Sequence, residues 1–217
     1  MFDFVFERAP GGQGQFAMVM LPGAGILPAD FLEHGFVDAV RRRGLAVDML
    51  LVEVSAADYF SGDFASRIKP WLAHFLRGYS NIWLAGISLG SLGIIRLLME
   101  GLDRIGGVML LSPFLVTRGT LARVLREGGI DYWSPGQEDC GDEDTSLLCW
   151  LKDYSFSFEW YLGWGVNDRY AHAGELLAGR LPEQRVFRVP GDHDWPTWRL
   201  LWQVMLDAVV FPARGIS

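Results

Sequence analysis

Apolar runs and amphipathic stretches alternate along this chain. Residues 16–21 form an unbroken apolar run stopped by Pro22-Gly23-Ala24-Gly25, which predicts a buried strand. Residues 30–43 carry helical spacing, with Asp30 as the cap and Gly44 past the end. Residues 45–54 predict a second strand. Residues 64–77 suit a helix followed by Gly78, with Pro70 expected to kink it or delay its start. Residues 81–87 predict a third strand that runs into Ser88, and 89–100 a helix closed by Gly101. Residues 105–111, 159–164 and 185–189 predict three more strands, and 196–210 the last helix. Continuous apolar strands separated by helices indicate an α/β fold. Its sheet is mostly parallel, with helices on both faces.

Residues 113–158 break this rhythm. They hold several glycines, many aromatics and the acidic residues Glu138, Asp139, Asp142, Glu143 and Asp144. An insertion of this length in a compact domain predicts a lid or a binding region. The acidic patch reads as a solvated loop. Trp133, Trp150, Tyr154, Phe156, Phe158, Trp195 and Trp198 read first as core packing. The sharper alternative is an apolar acyl or aromatic pocket. The 217 residues fit one domain, with the cap or lid at about 113–158.

Composition narrows the function classes. Half of the residues are hydrophobic and 21% are charged, as in ordinary globular proteins. A net charge of −7 gives no bulk attraction to nucleic acid. The one dense basic run, Arg41-Arg42-Arg43, ends a predicted helix, where positive charge suits the dipole. Cys140 and Cys149 belong to no metal-binding spacing. They read as idle thiols, with a disulfide between them left open. The first residues lack the features of a secretory signal, and no apolar stretch approaches the ~20 residues a membrane span needs. The cytoplasm is the expected compartment, and no cofactor is expected.

Gly86-Ile87-Ser88-Leu89-Gly90 is a G-x-S-x-G pattern. The pattern alone is weak, but its place between a buried strand and a helix is the setting of a nucleophile elbow. The glycines permit the sharp turn, and Ser88 then projects at the positive end of a helix. The plainer reading is a serine cap on a strand–helix turn.

A serine hydroxyl needs a base. Of four histidines, His34 and His74 fall inside predicted helices and His172 early in one. His193 alone follows a terminal strand, within Gly191-Asp192-His193-Asp194-Trp195. The carboxyl ends of parallel strands are where such sheets present catalytic groups. Asp168 follows the strand at 159–164 and precedes a helix, so it emerges at the same edge. It can hold the imidazole tautomer, or serve only as a helix cap. Asp131 and the 138–144 patch are the rival acids. Acyl chemistry also needs N–H donors for an oxyanion. Leu89 supplies one, and the loop at 22–25 the other, with Ala24 first and Gly25 second. Gly23-Ala24-Gly25 lacks the third spaced glycine of a dinucleotide site.

With these residues in place, the chain from about 16 to 211 resembles the alpha/beta-hydrolase superfamily. The resemblance rests on Leu-Pro-Gly-Ala-Gly at 21–25, Gly-Ile-Ser-Leu-Gly at 86–90, Asp168 after a strand, and Gly-Asp-His at 191–193. The order Ser88, Asp168, His193 is the order of that superfamily. Two departures stand out. The usual first hairpin has at most residues 2–8 here, so the sheet edge is expected to be trimmed. Pro22 stands where many members carry a histidine. The resemblance implies hydrolysis of a small-molecule ester or thioester through an acyl-serine. Acyl transfer to another acceptor and a non-catalytic binding role are the alternatives.

Overall fold

Phe16, Met18 and Met20 face one side of their strand and Ala17, Val19 and Leu21 the other, and all six are buried. Such a strand needs a layer of helices on each face. The computed structural model, which describes residues 2–11, 14, 16–136, 141–209 and 211, has both layers. Seven strands form one sheet: β1 (Phe4–Glu7), β2 (Phe16–Leu21), β3 (Val47–Val52), β4 (Ile82–Ile87), β5 (Ile105–Leu111), β6 (Glu159–Gly165) and β7 (Val186–Val189). Their order is β1-β3-β2-β4-β5-β6-β7. β1 runs antiparallel to β3 at one edge, and every other pair is parallel. β1 is all that residues 2–8 form, so the edge strand is short.

One face is covered by α1 (Pro28–Glu33), α2 (Phe36–Arg42) and α9 (Trp195–Ala208). Trp202 Nε1 donates to the Phe36 carbonyl at 2.9 Å, and the two rings stack at 5.3 Å. That pair joins α9 to α2, which are 166 residues apart. The other face carries α3 (Ala56–Tyr59), α4 (Phe64–Phe75), α5 (Leu89–Met99), α6 (Arg118–Arg126), α7 (Glu143–Asp153) and α8 (Ala171–Ala178).

Several local expectations change. The stretch 30–43 is two helices, not one, because Gly35 takes a left-handed φ of 74° between them. Asp30 is not the cap. The first helix opens at Pro28, and the Asp30 carboxylate reaches back to the Leu27 N–H at 2.7 Å. Pro70 sits inside α4 without delaying its start. The basic run does close a helix: Arg41 donates to the Val47 and Glu7 carbonyls, and Arg43 to those of Ala39 and Gln203.

The segment 113–158 holds α6 and α7, both packed on the sheet's helical layer. Val124, Trp133, Leu147, Leu148 and Leu151 are buried there. Polar ties hold it too. Arg96 of α5 pairs with Glu143, and Arg180 donates to Asp131 at 2.5 Å and to the Lys152 carbonyl at 2.9 Å. Cys140, Glu138 and Asp139 lie outside the described residues. No helix among the described residues is long and apolar enough to cross a membrane.

Candidate active site

Three loops at the carboxyl edge of the sheet meet at one point. The first leaves β4. Ser88 there has φ 52° and ψ −114°, a conformation that costs a non-glycine residue about 1–3 kcal/mol. Its backbone is held on both sides. The Ser88 N–H donates to the Leu111 carbonyl at 3.0 Å, and its carbonyl accepts from the Phe114 N–H at 3.1 Å. The elbow glycines are required by close approach. A Cβ on Gly86 would lie 2.6 Å from the Gly90 carbonyl carbon, and one on Gly90 would strike the Leu21 carbonyl. The elbow is thus pressed against the end of β2, which brings the loop at 22–25 beside Ser88.

The second loop leaves β6 and carries Asp168, which is 5% exposed. It is not the cap of α8, a place taken by Tyr170. Asp168 Oδ1 instead accepts from the Tyr170 N–H at 2.8 Å, closing a turn that frees Oδ2 for His193. The third loop leaves β7 and carries His193. Asp194 caps the following helix by accepting from the Thr197 N–H and hydroxyl, which fixes the exit from that loop.

The side chains then form one chain of contacts. His193 Nε2 lies 3.0 Å from Ser88 Oγ, and His193 Nδ1 lies 2.8 Å from Asp168 Oδ2. Burial pushes the Asp168 carboxyl pKa up. Hydrogen bonds from His193 and the Tyr170 N–H, with the Ser112 hydroxyl beside them, outweigh it and hold the group below its ordinary value. The imidazole is walled by rings on two sides. Tyr170 meets it edge-on at 4.8 Å and Trp198 at 5.2 Å.

Ala24 and Leu89 line the same cleft, and their backbone N–H groups donate to no acceptor among the described residues. The Pro22 carbonyl, two residues before Ala24, accepts from the buried Tyr59 hydroxyl at 2.9 Å. That bond anchors the 22–25 loop to α3.

The cleft has a volume of about 400 Å³. Its walls are the apolar Ile26, Phe60, Leu89 and Phe114 together with Arg169, Tyr170, Trp198 and His193, and the Phe114 and Tyr170 rings meet at 6.1 Å. Of the seven aromatics singled out in the sequence, Trp198 alone lines it. Trp133 is fully buried, and Trp150, Tyr154, Phe156 and Phe158 pack on one another or on Trp160. Ile26, Phe60, Phe114, Arg169 and Tyr170 were not legible, since they come from four separate turns or short loops with no local pattern.

The rival acids among the described residues are engaged elsewhere. Asp131 pairs with Arg180, Asp142 caps α7, Glu143 pairs with Arg96, and Asp144 accepts from the Thr117 N–H. His34 is the C-cap of α1 and stacks on Trp195 at 4.0 Å. Among the described residues no group of three or more His, Cys, Asp or Glu is placed to hold a metal ion.

No protein-family profile matches the chain, and no curated protein matches it by sequence. Solved structures do match. An S-formylglutathione hydrolase from Agrobacterium tumefaciens superposes with a TM-score of 0.66 at 13% identity, over 95% of this chain and 88% of its own. FphF, a fluorophosphonate-binding serine hydrolase of Staphylococcus aureus, superposes at 0.63 and 14% identity, over 96% and 99%. The monoacylglycerol lipase of Paleococcus ferrophilus gives 0.61 at 15% identity, over 96% and 100%. These likenesses, with the strand order and the three carboxyl-edge loops, establish that this chain has the alpha/beta-hydrolase fold.

Proposed function

We propose that the protein is a serine hydrolase that cleaves a carboxylic ester or thioester through an acyl-serine intermediate. The observation that carries this reading is the continuous contact Ser88–His193–Asp168, at 3.0 and 2.8 Å, at the carboxyl edge of the sheet. In this reading His193 Nε2 takes the Ser88 proton as Oγ attacks the acyl carbon. The carbonyl oxygen becomes an oxyanion and is met by the N–H groups of Ala24 and Leu89. The tetrahedral adduct collapses, and His193 returns the proton to the departing alcohol or thiol. A water then loses its proton to His193 and attacks the acyl-serine. Collapse of that second adduct frees the acid, and the proton returns to Ser88. Asp168 keeps Nδ1 protonated throughout, so that Nε2 faces Ser88 as an acceptor.

The structural likeness to hydrolases and a lipase supports the same reaction class. The segment 113–158 serves in this reading as a fixed cap, since Phe114 lines the cleft while Val124, Trp133, Leu147, Leu148 and Leu151 are packed into the core. The test is labelling with a fluorophosphonate probe, followed by a panel of short esters and thioesters. Labelling should map to Ser88. Ser88→Ala should abolish it and lower turnover by a factor on the order of 10^4 or more. Turnover within tenfold of the wild type in that variant removes Ser88 from the mechanism.

A further inference from the structure

Two guanidinium groups lie near the ring of Tyr170. Arg169 Cζ lies 5.0 Å and Arg118 Cζ 5.4 Å from the centre of its ring. The same ring meets His193 edge-on. The two arginines arrive from separate parts of the chain. Arg169 follows Asp168 in the turn after β6, and Arg118 is the first residue of α6.

Both arginines are exposed, and neither has a carboxylate or carbonyl partner among the described residues. The acids nearest in the chain are engaged. Asp168 binds His193 and the Tyr170 N–H, and Asp144 binds the Thr117 N–H. By contrast Arg67, Arg96, Arg180, Arg185 and Arg188 each form an ion pair. Helix stability does not account for Arg118. It stands at the end of α6 where the dipole disfavours a cation, and no acid occupies that first turn. Two like charges against one ring repel each other, in a chain whose net charge is −7. An anion held by both would relieve that repulsion.

We propose that Arg118 and Arg169 form an anion subsite that selects substrates whose leaving group carries a carboxylate. This rests on the hydrolase reading above. The departing atom must come within hydrogen-bond reach of His193 Nε2, which returns the proton to it. Tyr170 touches the His193 ring, and Arg169 lines the cleft beside it. Arg118 reaches the same Tyr170 ring from outside the lining, so a charge held there suits the leaving group that His193 protonates. Ile26, Phe60, Leu89 and Phe114 are apolar and suit an uncharged acyl group. The guanidinium fork matches a carboxylate in geometry as well as charge.

The test compares the butyryl esters of 3-hydroxybenzoate and of 3-hydroxybenzamide, leaving groups alike in shape and different in charge. The readout is the ratio of their kcat/KM values within each protein, so that general loss of activity cancels. At low ionic strength the wild type should favour the benzoate ester on the order of tenfold, with the advantage shrinking as salt is added. The R118Q/R169Q double variant should bring the ratio to near one, the single variants should lower it in part, and R169K should keep part of the preference. A wild-type ratio at or below one, or an undiminished ratio in the double variant, overturns the subsite. If both esters are cleaved alike, the subsite alone fails. If neither is cleaved while Ser88 still takes a fluorophosphonate probe, the subsite alone fails; if Ser88 takes no probe either, the hydrolase reading fails with it.

Discussion

His193 Nδ1 lies 2.8 Å from Asp168 Oδ2, and the backbone beneath that contact is tied twice. The Val166 N–H donates to the Val189 carbonyl at 2.8 Å, and the Asn167 N–H to the Gly191 carbonyl at 3.0 Å. The acid's turn and the histidine's loop are therefore one unit. Asp168→Asn would keep its shape but could present an N–H to Nδ1, favouring the tautomer in which Nε2 cannot accept the serine proton. We expect D168N to lower kcat by on the order of 10^3 to 10^4, with KM changed little. Steady-state kinetics on any cleaved ester checks this, and a loss under tenfold would exclude Asp168 as the orienting acid.

The same carboxylate predicts a pH window. Its folded pKa is depressed, so its contribution to stability is complete above the unfolded value of about 4 and is lost as pH falls through the lower folded value. The stability gap between wild type and D168N should be flat from about pH 8 to pH 5 and should close below about pH 4. Urea unfolding of both proteins across that range measures it. A gap that instead widens as pH falls from 7 to 5 would mean that burial outweighs the hydrogen bonds.

Tyr59 is fully buried, and its hydroxyl donates to the Pro22 carbonyl. Tyr59→Phe leaves that carbonyl without this partner and loosens the loop that presents the Ala24 N–H. The stability cost should be about 1–3 kcal/mol. If the Ala24 N–H serves the oxyanion, kcat should also fall by about tenfold while KM holds, because the interaction is made in the transition state. Thermal unfolding and kinetics on the same variant separate the two effects. A destabilised Y59F with unchanged kcat would assign Tyr59 to the fold alone.

Gly90 is the tightest point of the elbow, since a Cβ there would meet the Leu21 carbonyl, which is backbone and cannot swing away. Gly90→Ala must part β2 from α5 or shift Ser88. Overpacking of this kind costs about 1–3 kcal/mol, and sub-ångström shifts at a nucleophile cost about 10²-fold in rate. Fluorophosphonate labelling of G90A should slow accordingly while the protein stays folded by circular dichroism. Labelling at the wild-type rate would show that the elbow tolerates the shift.

Parts of this site were legible because their signal is local. Ser88 is marked by a strand, two glycines and a helix within a dozen residues, and His193 by its strand-end loop. Asp168 was readable by position, while its turn through the Tyr170 N–H was not. The cleft walls were illegible because Ile26, Phe60, Phe114 and Tyr170 become neighbours only when the loops of β2, β3, β5 and β6 meet at one edge. The break at Gly35 had a signal in the glycine itself, but the apolar spacing on both sides concealed it. Nothing around Arg118 or Arg169 in sequence announces that both reach the ring of Tyr170.

Asp48 is the other residue that sequence patterning passed over, one acid in the apolar strand β3. It is 1% exposed and accepts from the Ala9 N–H at 2.6 Å, the Gly14 N–H at 2.9 Å and the Tyr79 hydroxyl at 2.5 Å. Its donors lie in the link from β1 to β2 and in the turn before β4, so it closes the amino edge of the sheet. Asp48→Ala would leave buried donors without their acceptor, at a cost of about 3 kcal/mol or more. For a chain of this length that is a fall in Tm of roughly 6–12 °C. Because Asp48 stands at the start of its strand and the site at the opposite ends of the strands, kcat and KM measured well below the transition should stay near wild type. Calorimetry and kinetics on D48A check both halves. A large loss of activity in the still-folded variant would show that the two edges of the sheet are coupled.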